Sequence, residues 1–355
     1  MRELRIKNAP TENGFFHVVC RTVGKDFLFE KEEEKKRLLL WLDKAVEFCG
    51  VELLSWCVMS NHVHLLVKVP PRQEISDAEL DRRMRVLYLP SRYATIMDQW
   101  RGWQRMDGNN RRVEEAKAKL RRRMFDLSWF MKTFKQAAAQ DYNARHGFTG
   151  SMWGGNRFKS VYLEGTRKVL LAVAAYIHLN PVRAKMAQRA EEYAWSSWGE
   201  ACAHSGRSRV GLLRLYDGIA PSRKMTWTML KSQLQDVQTR VTTHREAMEE
   251  LLSGKRTMDA TPLRANSPNT SSAKKQGKKP VVVPVEEKLA MKAPEFSLSR
   301  AIGSPDFVQR FLGRLPHRQR PHRHLQSVVS VEGTVLCSMG TKRSGGEAVA
   351  YTKNK

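Results

Sequence analysis

Apolar and polar positions along the chain recur in two different periods. From Gly14 to Val23 they alternate, which predicts a strand with Phe16, Val18, Cys20 and Thr22 on one face and Phe15, His17, Val19 and Arg21 on the other. From about Glu30 to Cys49 the period lengthens. Leu38, Leu39, Leu42, Val46 and Cys49 recur at three and four residues before Gly50, as in a helix with a stop signal. Val51 to Met59 predicts a second strand. Val63 to Val69 predicts a third, bounded by Ser60-Asn61 and Pro70-Pro71. Leu127 to Arg145 carries a second helical stripe of Leu127, Phe130, Phe134, Ala137, Ala138 and Tyr142, and Phe158 to Leu163 predicts a fourth strand. The order βαββαβ implies an α+β fold with a ferredoxin-like antiparallel sheet. Its helices cover one face, and the other is left for a ligand.

Three regions stand apart from this order. Residues 72–126 form a basic, helical insertion within a catalytic unit spanning 10–200. Arg111 to Arg123 holds seven basic residues against Glu114 and Glu115. A solvated helix face is the ordinary reading, and a phosphate-contacting surface that includes Arg121, Arg122 and Arg123 is the alternative. Trp100 and Trp103 read as core, with base stacking as the other option. Thr166 to Leu179 predicts a helix that Asn180-Pro181 stops, and Glu191 to Trp198 a packing segment that closes the unit. Beyond it lie a helical extension (201–252), a basic linker expected to be disordered (253–298) and a tail (299–355). That tail holds one short helix at Ser299 to Leu312 and no expected fold after Pro316.

Charge sharpens the picture. Lys and Arg number 62 against 36 Asp and Glu, a net charge of +26, and the pI is about 10.1. Such an excess suits a polyanion-binding protein, because each neutralised phosphate releases condensed counterions. The five scattered cysteines include no Cys-x-x-Cys pair, which argues against a disulfide framework or a zinc finger. No stretch reads as a signal peptide or a membrane span, so a cytoplasmic, DNA-associated protein is expected.

The candidate chemistry sits on the third strand and the helix after the fourth. Alternation puts His62 and His64 on one face, away from Val63, Leu65 and Val67. Two imidazoles so placed can share a divalent ion, although two histidines that merely hydrogen-bond at a strand end are commoner. Tyr176 and Asn180, four residues apart, share a helical face. Tyr176 is either a half-buried core residue or a phenolate nucleophile, with the Asn180 amide oxygen completing a metal site. A phenol needs assistance to attack, and a divalent ion that polarises a phosphate supplies it. Two imidazoles and an amide oxygen suit Mg2+ or Mn2+ better than zinc, because sites remain for water and phosphate. Arg157 and Lys159, flanking Phe158, are candidate phosphate grips. His178 is expected to face solvent, and His17 is assigned no role.

Three motifs in order resemble a known family. His62-Val63-His64, closing Trp56-Cys57-Val58-Met59-Ser60-Asn61, is similar to the metal motif of HUH endonucleases with a single tyrosine. Gly150 to Val161 and Ala175-Tyr176-Ile177-His178-Leu179-Asn180-Pro181-Val182-Arg183-Ala184 resemble the loop and nucleophile helix of REP-associated tyrosine transposases and single-strand insertion-sequence transposases. The resemblance implies metal-dependent cleavage of single-stranded, hairpin-containing DNA. Tyr176 would form a 5′-phosphotyrosine from the free face of the sheet, and His62, His64 and Asn180 would bind the metal. Asn180 stands where better-known relatives carry Gln. A second copy of the chain is a further candidate partner. The competing reading is a non-catalytic, hairpin-binding protein derived from a transposase. A replication or conjugation nickase is a third, disfavoured because the region after 200 is too short for a helicase or primase.

Overall fold

A computed structural model describes residues 8–107, 110–155, 158–203, 206–217, 226–236, 238–239, 282–284, 301–314, 327–331 and 334–339. Strand β1 (Gly14–Arg21) leads into helix α1 (Glu32–Cys49), then β2 (Glu52–Val58) and β3 (His62–Val69). An insertion of three helices follows: α2 (Asp77–Leu87), α3 (Pro90–Asp107) and α4 (Arg111–Arg121). Next come α5 (Leu127–His146), β4 (Lys159–Leu163), α6 (Arg167–His178) and the four-residue α7 (Asn180–Arg183). Helices α8 (Ser197–Cys202) and α9 (Gly206–Asp217) complete the unit.

The first four strands run β2-β3-β1-β4 and pair antiparallel throughout, with Val18 opposite Leu65 on β3 and Ser160 on β4. That order and pairing are the ferredoxin-like arrangement expected of βαββαβ.

Two cores sandwich the sheet. On one face Phe16, Val18, Val63, Leu65 and Val67 meet Leu38, Leu42 and Phe48 of α1 and Phe130, Met131 and Phe134 of α5. On the other face Phe15, Leu66, Val161 and Leu163 meet the apolar helix α6. Strand alternation dictates this division, since successive side chains point to opposite faces. The α1 stripe is centred on Leu38, Trp41, Leu42, Ala45 and Phe48, while Leu39 and Val46 lie at its margin. Glu32, Glu33 and Glu34 complement the helix dipole at the α1 N-terminus, and Gly50 ends it at φ 65°. In α5, Asp126 accepts hydrogen bonds from the amides of Ser128 and Trp129, a side-chain N-cap.

The structure differs from the sequence expectation at several places. Helix α6 ends at His178, before Asn180-Pro181 as expected, but a second short helix, α7, begins at once. Pro181 sits in its first turn, where its missing N–H costs no bond. The segment expected as one helix from Ser299 is strand β6 (Ala301–Gly303) followed by the helix Pro305–Arg314. Strand β6 pairs parallel with β4, and Glu164 accepts from the amide and hydroxyl of Ser304 to turn the chain. Beyond Pro316, where no fold was expected, β7 (Ser327–Val331) and β8 (Thr334–Met339) pair antiparallel, and β5 (Val282–Pro284) pairs with β7. The whole sheet runs β2-β3-β1-β4-β6-β8-β7-β5. Of the helical extension expected over 201–252, residues 206–217 and 227–236 are helical, and the stretch from 240 on lies outside the described residues. Leu230 and Leu234 are buried in the α6 core together with Leu212 and Leu215 of α9. Trp100 is buried and Trp103 packs against the first core. The Tyr193 hydroxyl donates to the Val58 carbonyl, and the Val58 amide to the Trp195 carbonyl, so the packing segment lies along the edge of β2. No helix among the described residues is long and apolar enough to cross a membrane.

Candidate active site

β3 presents His62, His64 and Leu66 to the α6 side of the sheet, as alternation requires, because its other residues fill the opposite core. The register sets Val19 opposite His64 and Leu66 opposite His17. His17 and His64 are therefore diagonal neighbours on one face, within reach of long side chains. Their rings stack at 5.2 Å and 15°, and His17 Nε2 lies 3.0 Å from His64 Nδ1. His62 approaches His64 edge-on at 5.0 Å, and its Nδ1 lies 2.6 Å from Asn61 Oδ1. Sequence reasoning left His17 without a role, yet it belongs to this cluster. The signal was its membership of the Phe15–Val19–Arg21 face.

Helix α6 lays Tyr176 on the histidines of its own chain. The phenol ring stands edge-on to His17 at 5.7 Å and to His64 at 6.0 Å. Tyr176 is 6% exposed. Arg183 of α7 places its guanidinium 4.4 Å over the phenol ring and donates to the Tyr176 carbonyl at 2.6 Å. Helix α7 starts directly after Leu179, the C-cap of α6, and so keeps Arg183 within reach of Tyr176. Asn180 Nδ2 donates to the carbonyls of Tyr176 and Ile177 at 3.1 and 3.3 Å, so Asn180 caps the helix that carries the tyrosine. Its amide can serve an ion only through Oδ1.

Burial keeps both paired histidines neutral. Desolvation, helped by Arg21, pulls the His62 pKa down to about 4. Desolvation holds His64 well below its ordinary value, and His62, His17, Arg183 and Arg21 push the same way. Neutral imidazole is the form that ligates a metal. Among the described residues no three His, Cys, Asp or Glu side chains are grouped to hold an ion. The donors that the structure groups here are the imidazoles of His62 and His64, with ring centroids 5.0 Å apart. That set fits a hard divalent ion which keeps water and phosphate oxygens as ligands.

The other expected residues scatter. Lys159 is exposed, pairs in register with Val19 and so projects from the histidine face; burial lowers its pKa, and Arg21 adds to the shift. Arg157 lies outside the described residues. Arg121 pairs with Asp77 and donates to the Ile75 carbonyl at 2.9 Å, tying α4 to α2. Arg123 donates to Tyr88 and Thr133 and covers the Phe48 ring at 4.7 Å. Both belong to the helical layer behind the sheet, away from Tyr176, and only Arg122 of the three is exposed. His178 does not face solvent. It is fully buried, with Nε2 2.8 Å from Ser55 Oγ and 3.1 Å from Ser197 Oγ. Two residues beyond Tyr176, it faces the sheet because α6 is enclosed along most of its surface.

Residues 11–79 match the profile of the family described as "Transposase IS200 like". The matched stretch runs from β1 into α2 and includes His17, His62 and His64. Among proteins with curated descriptions, none matches. One solved structure, "Structure of the REP associates tyrosine transposase bound to a REP hairpin", aligns with 57% of this chain and 87% of its own at 14% identity. Its TM-score of 0.34 is too low to carry a conclusion. Over residues 11–79, which hold the paired histidines in the third strand, the chain is similar to the IS200-like transposases.

Proposed function

We propose that this protein is a transposase, a metal-dependent single-stranded DNA endonuclease and strand transferase in which Tyr176 is the nucleophile. The observation that carries the reading is the Tyr176 ring standing 6.0 Å from His64, over the neutral histidine pair of the same chain. The phenolic oxygen attacks the scissile phosphorus, the P–O3′ bond breaks, and a 5′-phosphotyrosine and a free 3′-hydroxyl result. The proton lost by the phenol is matched by the one gained at the 3′-oxygen. Strand transfer is the reverse step with a different 3′-hydroxyl. Mg2+ or Mn2+, bound by the His62 and His64 imidazoles with Asn180 Oδ1 as the candidate third donor, would polarise the phosphate as a Lewis acid. Asn180 and Arg183 fix the end of α6, and Arg183 adds positive charge beside the ring. Lys159, Arg157 and the exposed Arg122 are candidate phosphate contacts, and DNA with a hairpin end is the proposed substrate. Tyr176 lies beside the histidines of its own chain, which supports a site assembled within one chain rather than across a homodimer.

The test incubates the protein with labelled single-stranded hairpin DNA and Mn2+, then looks for a covalent adduct after denaturation. The parent chain forms one and Tyr176→Phe does not; an adduct in Tyr176→Phe removes the nucleophile assignment. His64→Ala loses cleavage but keeps DNA binding. A second reading, hairpin binding without cleavage, draws on the burial of Tyr176 beneath Arg183. It predicts DNA binding by the parent chain with no adduct under any metal condition.

A further inference from the structure

We propose that Asn61 and His17 are positioning residues that hold His62 and His64 in a single tautomer, proton on Nδ1 and lone pair on Nε2. Both Nε2 atoms are then presented to the ion. The His62 tautomer follows from hydrogen-bond polarity alone, whereas the His64 tautomer and the purpose of both rest on the reading of His62 and His64 as ligands.

The Asn61 half follows from hydrogen-bond polarity. The Asn61 Nδ2 group donates to the Lys25 carbonyl at 3.0 Å, which fixes the amide with Oδ1 toward His62. An amide oxygen only accepts, so the 2.6 Å contact requires the proton on His62 Nδ1. The backbone holds the amide in place. The Asn61 carbonyl accepts from the Thr22 amide and from the Thr22 hydroxyl, each at 3.0 Å. This pins the β2–β3 turn to the end of β1. His62 is left with one free lone pair, on Nε2.

The His17 half follows from proton counting. His17 Nε2 and His64 Nδ1 meet nitrogen to nitrogen at 3.0 Å, so a hydrogen bond between them places one proton in the contact. A nitrogen in that contact has no room for a metal, which leaves Nε2 as the only donor atom of His64. Nε2 can ligate only if the shared proton belongs to His64 Nδ1, with His17 Nε2 accepting. The same contact separates His17 from a direct ligand role. Its Nε2 is turned onto the rear of His64, and the three histidines are not grouped around a common point. The 15° stacking and the full burial of His17 fix the His64 ring in that orientation.

Two measurements test this. The first uses protein labelled with 15N in the histidine rings, free of metal, and reads the tautomers from long-range 1H–15N correlations. His62→Asn and His64→Asn supply the assignments. Both rings should be in the Nδ1–H form, and a predominantly Nε2–H form in either ring overturns the proposal for that residue. The second is Mn2+ affinity by electron paramagnetic resonance, with no DNA present. His17→Leu and Asn61→Ala should each weaken binding by about 10–100-fold, the usual loss when a ligand's hydrogen-bond partner is removed. His17→Gln, whose amide oxygen still accepts, should restore most of it. Unaltered affinity in both His17→Leu and Asn61→Ala overturns the proposal and leaves the ligand reading standing. So does a loss in His17→Gln as large as in His17→Leu, which would make His17 a ligand. A parent protein that shows the Nδ1–H form but takes up no Mn2+ overturns the metal reading instead.

Discussion

Replacing His178 with glutamine should make the protein less sensitive to acid. His178 is fully buried at the end of α6, and desolvation lowers its pKa to about 3. An unfolded histidine titrates near 6.5, so on acidification the unfolded chain binds this proton first. The stability that the neutral ring contributes is complete above the unfolded pKa and is lost as pH falls toward the folded one. From about pH 7 to about pH 5 the loss for such a group is about 2 kcal/mol. Glutamine does not titrate, and its amide can keep the bonds to Ser55 and Ser197. The loss on acidification should therefore shrink by about 2 kcal/mol in His178→Gln. Urea unfolding at both pH values, followed by tryptophan fluorescence, measures it. Trp198, stacked on His178 at 5.8 Å, is a local reporter. A part of the acid loss remains in the variant, because burial also disfavours the charged forms of His62 and His64. An identical decrement in parent and His178→Gln would refute the reasoning.

Two further outcomes are expected. Gly211→Ala in α9 should destabilise by about 1–3 kcal/mol, because its Cβ would come within 2.7 Å of the Leu53 carbonyl of β2. Ordinary helix propensity would instead favour alanine by about 1 kcal/mol, so a variant more stable than the parent in the same urea assay would show that α9 does not press on β2. Lys159→Ala should lower the slope of log affinity against log salt for single-stranded DNA by about 1, the loss of one phosphate contact. An unchanged slope in salt-series binding measurements would place Lys159 outside the interface.

Strand alternation and helical spacing were sufficient for the first four strands and the two covering helices. These are local periodicities, and burying one face of each element leaves little choice of arrangement. The shared face of His62 and His64 came from the same source. The expectation of a polyanionic partner came from net charge instead, which acts at long range whatever the fold. His17 was on the correct face in the sequence, but alternation within β1 cannot say which residue of β3 lies beside it. The β1–β3 register decided that, and with it the nitrogen-to-nitrogen contact.

Other outcomes depended on packing between distant elements. His178 is polar at a helix end, and only the docking of Ser55 and Ser197 against it makes burial tolerable. Arg121 and Arg123 read as free cations until Asp77 and Tyr88 of the insertion and Thr133 of α5 fold onto them. The stop at Asn180-Pro181 was legible because proline cannot continue a helix, but the new turn that begins there and sets Arg183 over Tyr176 was not. The sequence by itself determined which side chains of each element share a face, because backbone geometry makes that a local property. Tertiary structure alone decided which faces meet, and the meeting of His17, His64, Tyr176 and Arg183 is what turns a pair of histidines into a candidate active site.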